Sequence, residues 1–285
     1  MRNLIRSVLI GFSFTTHGIT LDTWDIYNAR YEAAQNQIQS SDDIRDLIEP
    51  FLMTDGHPLK AKLDKLFERS RVISSRKTLV AAGFEDKEPE PVTKIIVTRH
   101  KKMKGYIFKL YTDDYLDYHH GESEVYTYLR RARGAMMIRE EIALMGWESV
   151  FKVPQKWIYA IPETSTPLKG NHFHRLYILV EEEMDLLSSE QMKECWRNGT
   201  MTQKHLDRLF YMTTRLGLRG CCKYDNIPIC HDGRIAFVDT QSNLRWPIAY
   251  SRLNRVLQGS LLNYWKKLIK DSEGSSINRI ITNPN

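Results

Sequence analysis

The spacing of apolar positions changes character near residue 90. Before that point it is helical. Leu59, Leu63 and Leu66-Phe67 recur three and four apart, the repeat of one helix face. Pro58 stands at the first turn, where its missing N–H costs nothing. Upstream, Ser41-Asp42-Asp43 offers side-chain oxygens that can cap a helix running through Leu52. Residues 21–90 are therefore expected to form a helical N-terminal extension. Its end, Glu85-Asp86-Lys87-Glu88-Pro89-Glu90-Pro91, is charged and proline-rich with neither period, and reads as a linker.

Beyond the linker the period shortens to two. Val92 to Thr98 and Gly105 to Tyr111 are β-branched and aromatic runs joined by a basic turn, the mark of a hairpin. A long helix follows over Glu122 to Met145, with Leu129, Ala132, Met136, Ile142 and Met145 along its apolar side. Strands are predicted at Val150–Val153, Trp157–Ile161 and His174–Val180, then an acidic connector over Glu181–Asp185. Helices are predicted at Thr202–Leu216 and Ser251–Ile269, on either side of a second hairpin. No internal repeat is present.

Composition narrows the picture modestly. The 285 residues are 42% hydrophobic and 27% charged, ordinary values for a globular chain with a real core. Net charge is +6, from 41 basic and 35 acidic residues. The dense basic runs, Arg99-His100-Lys101-Lys102 and Arg130-Arg131-Ala132-Arg133, read as a solvated hairpin and a solvated helix face. There is no continuous basic stripe with interleaved aromatics, so no nucleic-acid partner is expected. Cys195, Cys221, Cys222 and Cys230 lack zinc-type spacing and read as buried thiols. No apolar run approaches the roughly 18 residues of a membrane span. Met1 to Arg6 is basic and Ser7 to Phe14 apolar, which is the outline of a secretory signal peptide. Residues 1–20 are thus either a signal peptide or a buried N-terminal segment, and the location is extracellular or cytoplasmic accordingly.

The chemistry lies in the second hairpin, Lys223 to Thr240. It begins on Asn226, turns at His231-Asp232-Gly233 and ends on Asp239. Adjacent strand ends carrying an asparagine and an aspartate can aim two oxygens at one point, as Mg²⁺ on nucleotide phosphates requires. This layout resembles the catalytic-loop and metal-loop segment of the protein-kinase-like superfamily. The order of elements from residue 92 to 245 is similar to that family as well. The resemblance implies an α+β, bilobal protein-kinase-like fold. A small β-rich N-lobe would span 91–183 and a helical C-lobe 184–285, with the hinge at Glu181–Asp185. It further implies ATP and Mg²⁺ as cofactors, with Asn226 and Asp239 on the metal. Lys109, mid-strand in Tyr106-Ile107-Phe108-Lys109-Leu110, would bind the nucleotide phosphates. Its helical partner would be Glu140, with Glu124 and Glu141 as alternatives. Lys223 falls where the family's catalytic-loop lysine stands.

The departures from the family are specific. Cys221 occupies the position of the general-base aspartate, and the preceding segment Leu218-Arg219-Gly220 lacks the usual His-Arg-Asp. Thr240-Gln241 follows Asp239 in place of Phe-Gly, and the first hairpin has no Gly-x-Gly-x-x-Gly. Loss of a general base typically costs about 10² to 10⁴ in rate. Phosphoryl transfer nevertheless depends mainly on positioning and charge neutralisation. The expectation is an atypical kinase-like protein that binds Mg-ATP, either a slow phosphotransferase or a pseudokinase, with an unidentified protein or small-molecule acceptor. The alternative is a non-enzymatic interaction protein on a degenerate kinase-like scaffold.

Overall fold

In the computed structural model of the chain, residues 41–90, 94–114, 124–162, 175–197 and 200–273 are described. The expected signal segment lies outside them. The chain divides into two units, Met1–Leu47 and Ile48–Asn285. The described part of the first is helix α1 (Ser41–Ile48), whose last residue opens the second. The helix ends before the predicted Leu52 because Pro50 has no N–H to continue the ladder, and a single 3₁₀ turn, Glu49–Phe51, takes over.

The second unit is α+β. Among the described residues its main sheet has four antiparallel strands: β1 (Ile96–Thr98), β2 (Tyr106–Leu110), β4 (Lys156–Ala160) and β5 (Tyr177–Glu182). They lie in the order β1-β2-β5-β4. Successive side chains on a strand point to opposite faces, so each strand divides its residues between two environments. One face carries Phe108 and Leu110 of β2, Tyr159 of β4, and Ile178 and Val180 of β5. Helix α2 (Lys60–Arg69) lays Leu63 and Phe67 on this face, and α3 (Arg76–Ala81) adds Leu79. Residues 53–84 thus share one core with the sheet. Helix α3 is started by a capping box, in which the Ser75 hydroxyl accepts from Thr78 N and the Thr78 hydroxyl accepts from Ser75 N. Residues 85–90 contain neither helix nor strand.

Helix α4 (Glu124–Leu144) packs against β4, β5 and β3 (Phe151–Lys152). It is buried on nearly all sides, and the buried set includes Arg131 and Arg133. That corrects the expectation of a solvated basic helix face over Arg130–Arg133. Strand β3 pairs in parallel with β6 (Ile235–Ala236), the returning arm of the second hairpin.

Three further helices follow β5. The first, α5 (Ser189–Arg197), was not expected from the apolar pattern, because Met192 and Trp196 are its only buried residues. Its local signal was a capping box: Gln191 N donates to the Ser188 hydroxyl and Ser188 N donates to the Gln191 side chain. Helix α6 (Gln203–Arg215) matches its prediction, with Thr202 and His205 forming the same kind of cap. The last predicted helix is divided into a 3₁₀ segment, Tyr250–Arg255, and α7 (Gly259–Glu273). Phe210 of α6 stacks on Tyr250 with ring centroids 4.8 Å apart, and buried Trp265 of α7 meets both rings edge-on. All four cysteines are free, and Cys221, Cys222 and Cys230 are buried as expected. Among the described residues, no helix is long and apolar enough to cross a membrane.

Candidate functional site

The second sheet face is charged where the first is apolar. Lys109, Lys156 and Glu181 alternate with the core residues Phe108 and Leu110, Trp157, and Val180 on their own strands. The register sets them side by side. Glu181 lies directly across from Lys156 on β4, and on the other flank across from Ile107 of β2, which places Lys109 on the diagonal. Lys109 Nζ donates to Glu181 Oε2 at 2.8 Å and Lys156 Nζ donates to Oε1 at 2.7 Å. None of the three side chains is more than 11% exposed.

Burial alone would push the Glu181 carboxyl up, but the Lys109, Lys156 and Arg131 cations outweigh it and hold it down to about 2. Lys156 shows the opposite balance. Burial, with Lys109 and Arg131 nearby, brings its ammonium down to about 7 despite the pairing with Glu181.

From this face the network crosses to the second hairpin. Lys156 Nζ also donates to the carbonyl of Val238 at 3.0 Å, one residue before Asp239. Asp239 itself accepts from Arg131 of α4, with Nη1 to Oδ1 at 3.0 Å. The hairpin read from the sequence is formed: Val238 N bonds Asn226 O, Ala236 N bonds Pro228 O, and Cys230 N bonds Arg234 O. Gly233 supplies the left-handed turn residue, with φ of +84°.

The segment after Asp239 is clamped to α4. The Thr240 hydroxyl donates to the Arg131 carbonyl at 2.6 Å. Asn243 donates to the carbonyls of Arg130 and Thr240 and accepts from Arg133 Nη2. Gly134 makes the close approach possible, since a Cβ there would stand 2.1 Å from Thr240 O and 2.6 Å from Asn243 Nδ2. Gly134→Ala is therefore expected to displace the Asp239 loop and to lower stability by about 1–3 kcal/mol or more, despite alanine's better helix propensity. Denaturant unfolding of the variant checks this. A gain in stability would mean that the loop gives way freely.

The remaining sequence-predicted residues are placed as follows. Lys109 takes its carboxylate from β5 rather than from α4. Glu140 is not its partner: Glu140 Oε2 is buried without a hydrogen bond, and burial raises that carboxyl to about 7 even with Arg139 beside it. Glu124 binds Arg175 and Glu141 accepts from the Tyr211 hydroxyl. Glu181, expected in a connector, belongs to β5, because two lysines across the strands neutralise it. Asn226 spends its amide N–H on Gly220 O at 3.0 Å. Lys223 pairs with Asp225 at a half-exposed position.

Cys221 is buried, and its thiol donates to the Asp239 carbonyl at 3.4 Å. Burial and the neighbouring Asp239 charge push that thiol well above its usual range, so it stays protonated and cannot act as a base. The metal expectation meets a specific obstacle. A guanidinium already faces Asp239 Oδ1, and the Asn226 amide is held to the Gly220 carbonyl. The arrangement as it stands does not fit a divalent cation bridging Asn226 and Asp239.

Sequence reasoning missed Arg131, Lys156 and Glu181. The available signal was a charged residue on the alternating face of a buried strand, at Lys156 beside Trp157-Ile158-Tyr159 and at Glu181 after Leu179-Val180. The whole cluster gathers three basic side chains, Lys109, Lys156 and Arg131, around two carboxylates, Glu181 and Asp239, with Lys156 only partly protonated at neutral pH. Basic groups held together in a partly buried cluster are suited to receiving an anion. No protein-family model matches this chain, and no curated protein shows significant similarity to it.

Proposed function

We propose that the unit carries a kinase-like cleft that binds the phosphates of a nucleotide such as ATP and transfers them slowly or not at all. The reading rests on one observation above the others: the buried Lys109–Glu181–Lys156 bridge runs directly to the carbonyl that precedes Asp239. A strand lysine is thereby tied to the end of the Asn–Asp hairpin, as a phosphate-binding cleft between a sheet and that hairpin requires. The order of elements supports the same reading, with β1 and β2, then α4, β4 and β5, a connector, helices, and the hairpin. Slow or absent transfer follows from Cys221. No carboxylate stands at that position, and the protonated thiol there cannot take a proton from an acceptor hydroxyl.

The deciding experiment is a titration of the intact protein with ATP, followed by calorimetry and thermal melting. Lys109→Met is expected to weaken ATP binding by about ten- to a hundredfold, the usual worth of a charge-assisted bond to phosphate. Glu181 keeps Lys156 in that variant, so the fold should survive. A second reading has support in the internal pairing of the cluster, where Glu181 already neutralises Lys109 and Arg131 already neutralises Asp239. In that case the cluster is a scaffold for a non-enzymatic interaction protein. Wild-type protein without ATP affinity, together with an unaltered Lys109→Met variant, would establish it.

A further inference from the structure

We propose that Arg131 takes the place of the divalent cation, so that this cleft binds nucleotide phosphates without Mg²⁺. The inference rests on the phosphate-binding reading above. In a metal-dependent cleft, the cation bridges an aspartate and the phosphate oxygens and neutralises both. Here the Asp239 carboxylate is already bridged, 3.0 Å from Arg131 Nη1.

Arg131 is also a fixed group. Its side chain is 7% exposed, and its own carbonyl is held by the Thr240 hydroxyl next to Asp239. Its helix is locked to the same loop at Gly134, where there is no room even for a methyl group. These backbone contacts set where the guanidinium can reach, and its withdrawal to make way for a metal would leave Asp239 without the partner it has here.

Two further features point to an anion. Arg131 Nε is buried with no hydrogen-bond partner among the described residues. An unmade bond of this kind is costly in a folded protein unless a ligand completes it. The cluster also brings Lys109 and Lys156 to one carboxylate, and Lys156, at about 7, can take up a proton when an anion arrives. A guanidinium presents a planar fork of donors that matches phosphate oxygens, and it does so without the protein having to assemble a metal site. Mg²⁺ would remove part of the phosphate charge that these basic groups otherwise pair with. Free ATP is therefore the better ligand.

The test compares ATP binding to the full chain in EDTA and in millimolar MgCl₂ by isothermal titration calorimetry. Affinity in EDTA is expected to equal or exceed that in MgCl₂. Arg131→Met is expected to weaken binding in EDTA by about ten- to a hundredfold. MgCl₂ should then restore part of the loss, because Asp239 is freed to hold the metal. Wild-type protein that binds ATP only with Mg²⁺ overturns the inference and leaves the phosphate reading standing. So does an Arg131→Met variant that binds ATP in EDTA as the wild type does. If that variant fails to fold, the wild-type comparison alone still decides. Absence of binding in both media overturns the phosphate reading itself, and this inference with it.

Discussion

Glu181→Gln should unfold the protein far more readily than an exchange of near-identical shape suggests. The carboxylate lies between two buried ammonium groups, at 2.8 and 2.7 Å. An amide can accept from one of them, but its NH₂ then faces the other; Lys109 is left in a poorly solvated place without its anion, and Lys156, already at about 7, gives up its proton. Removing one member of a buried ion pair typically costs about 3–5 kcal/mol. The urea midpoint should fall accordingly, with the m-value unchanged. A second change, Lys156→Met, is expected to recover part of the loss by removing a buried amine that has lost its partner. Recovery of nothing would mean that Lys156 is not a destabilising group in the variant.

The pH dependence of the wild type gives an independent check with a definite sign. The Glu181 carboxyl is held at about 2 in the folded state, against 4.5 as its ordinary value. Its stabilising contribution is therefore complete above 4.5 and is lost as pH falls through about 2. Lys156 acts at the other end. Its folded value of about 7 lies below its ordinary 10.5, so between them the unfolded chain binds more protons and stability rises with pH. The Glu181→Gln variant should lack the acid-side slope between 4.5 and 2. Persistence of that slope would place its origin in other carboxylates.

A second large effect is expected at a site unconnected with phosphate binding. Asp113 is 1% exposed and takes two bonds from Arg71, Nε to Oδ2 at 2.7 Å and Nη2 to Oδ1 at 2.8 Å. Arg71 Nη2 also donates to the Arg175 carbonyl at 2.6 Å, and Arg175 in turn reaches Glu124 at the start of α4. The group thus ties the residues following α2, the end of β2, the approach to β5 and α4. Asp113→Asn should cost about 3–5 kcal/mol, because it strands the buried guanidinium. Replacing both partners with apolar residues, Arg71→Met with Asp113→Leu, should be milder than Asp113→Asn alone. The recovery will be incomplete, since the Arg175 backbone also uses these side chains. Equilibrium unfolding of the three variants checks the order. A double variant less stable than the single one would contradict it.

Much of the local structure was legible in the sequence. The strands around Phe108, Ile158 and Leu179, the long helix α4, and helix α6 with its threonine cap all follow from period and capping. The second hairpin was legible as well, through its His-Asp-Gly turn and its apolar arms. Helix α5 escaped because a helix with two buried residues has little period to show. Helix α2 was legible in the spacing of Leu63 and Phe67, but nothing in that pattern told which surface its apolar face would meet.

The site divides in the same way. By itself the sequence determined that Lys109 stands mid-strand and that Asn226 and Asp239 sit at the two ends of one hairpin. These are local facts, set by alternation and turn chemistry. Only the tertiary structure decided which charges meet. Arg131 and Asp239 are 108 positions apart and Lys156 and Val238 are 82 apart, while Lys109 turns to Glu181 on a neighbouring strand and not to Glu140 on the helix. The physical reason is that a charged residue looks the same in a sequence whether water or a buried counter-charge neutralises it. Strand register and helix packing determine which of the two it finds. In this chain they turned a run of ordinary arginines, lysines and glutamates into one buried, cation-rich cluster.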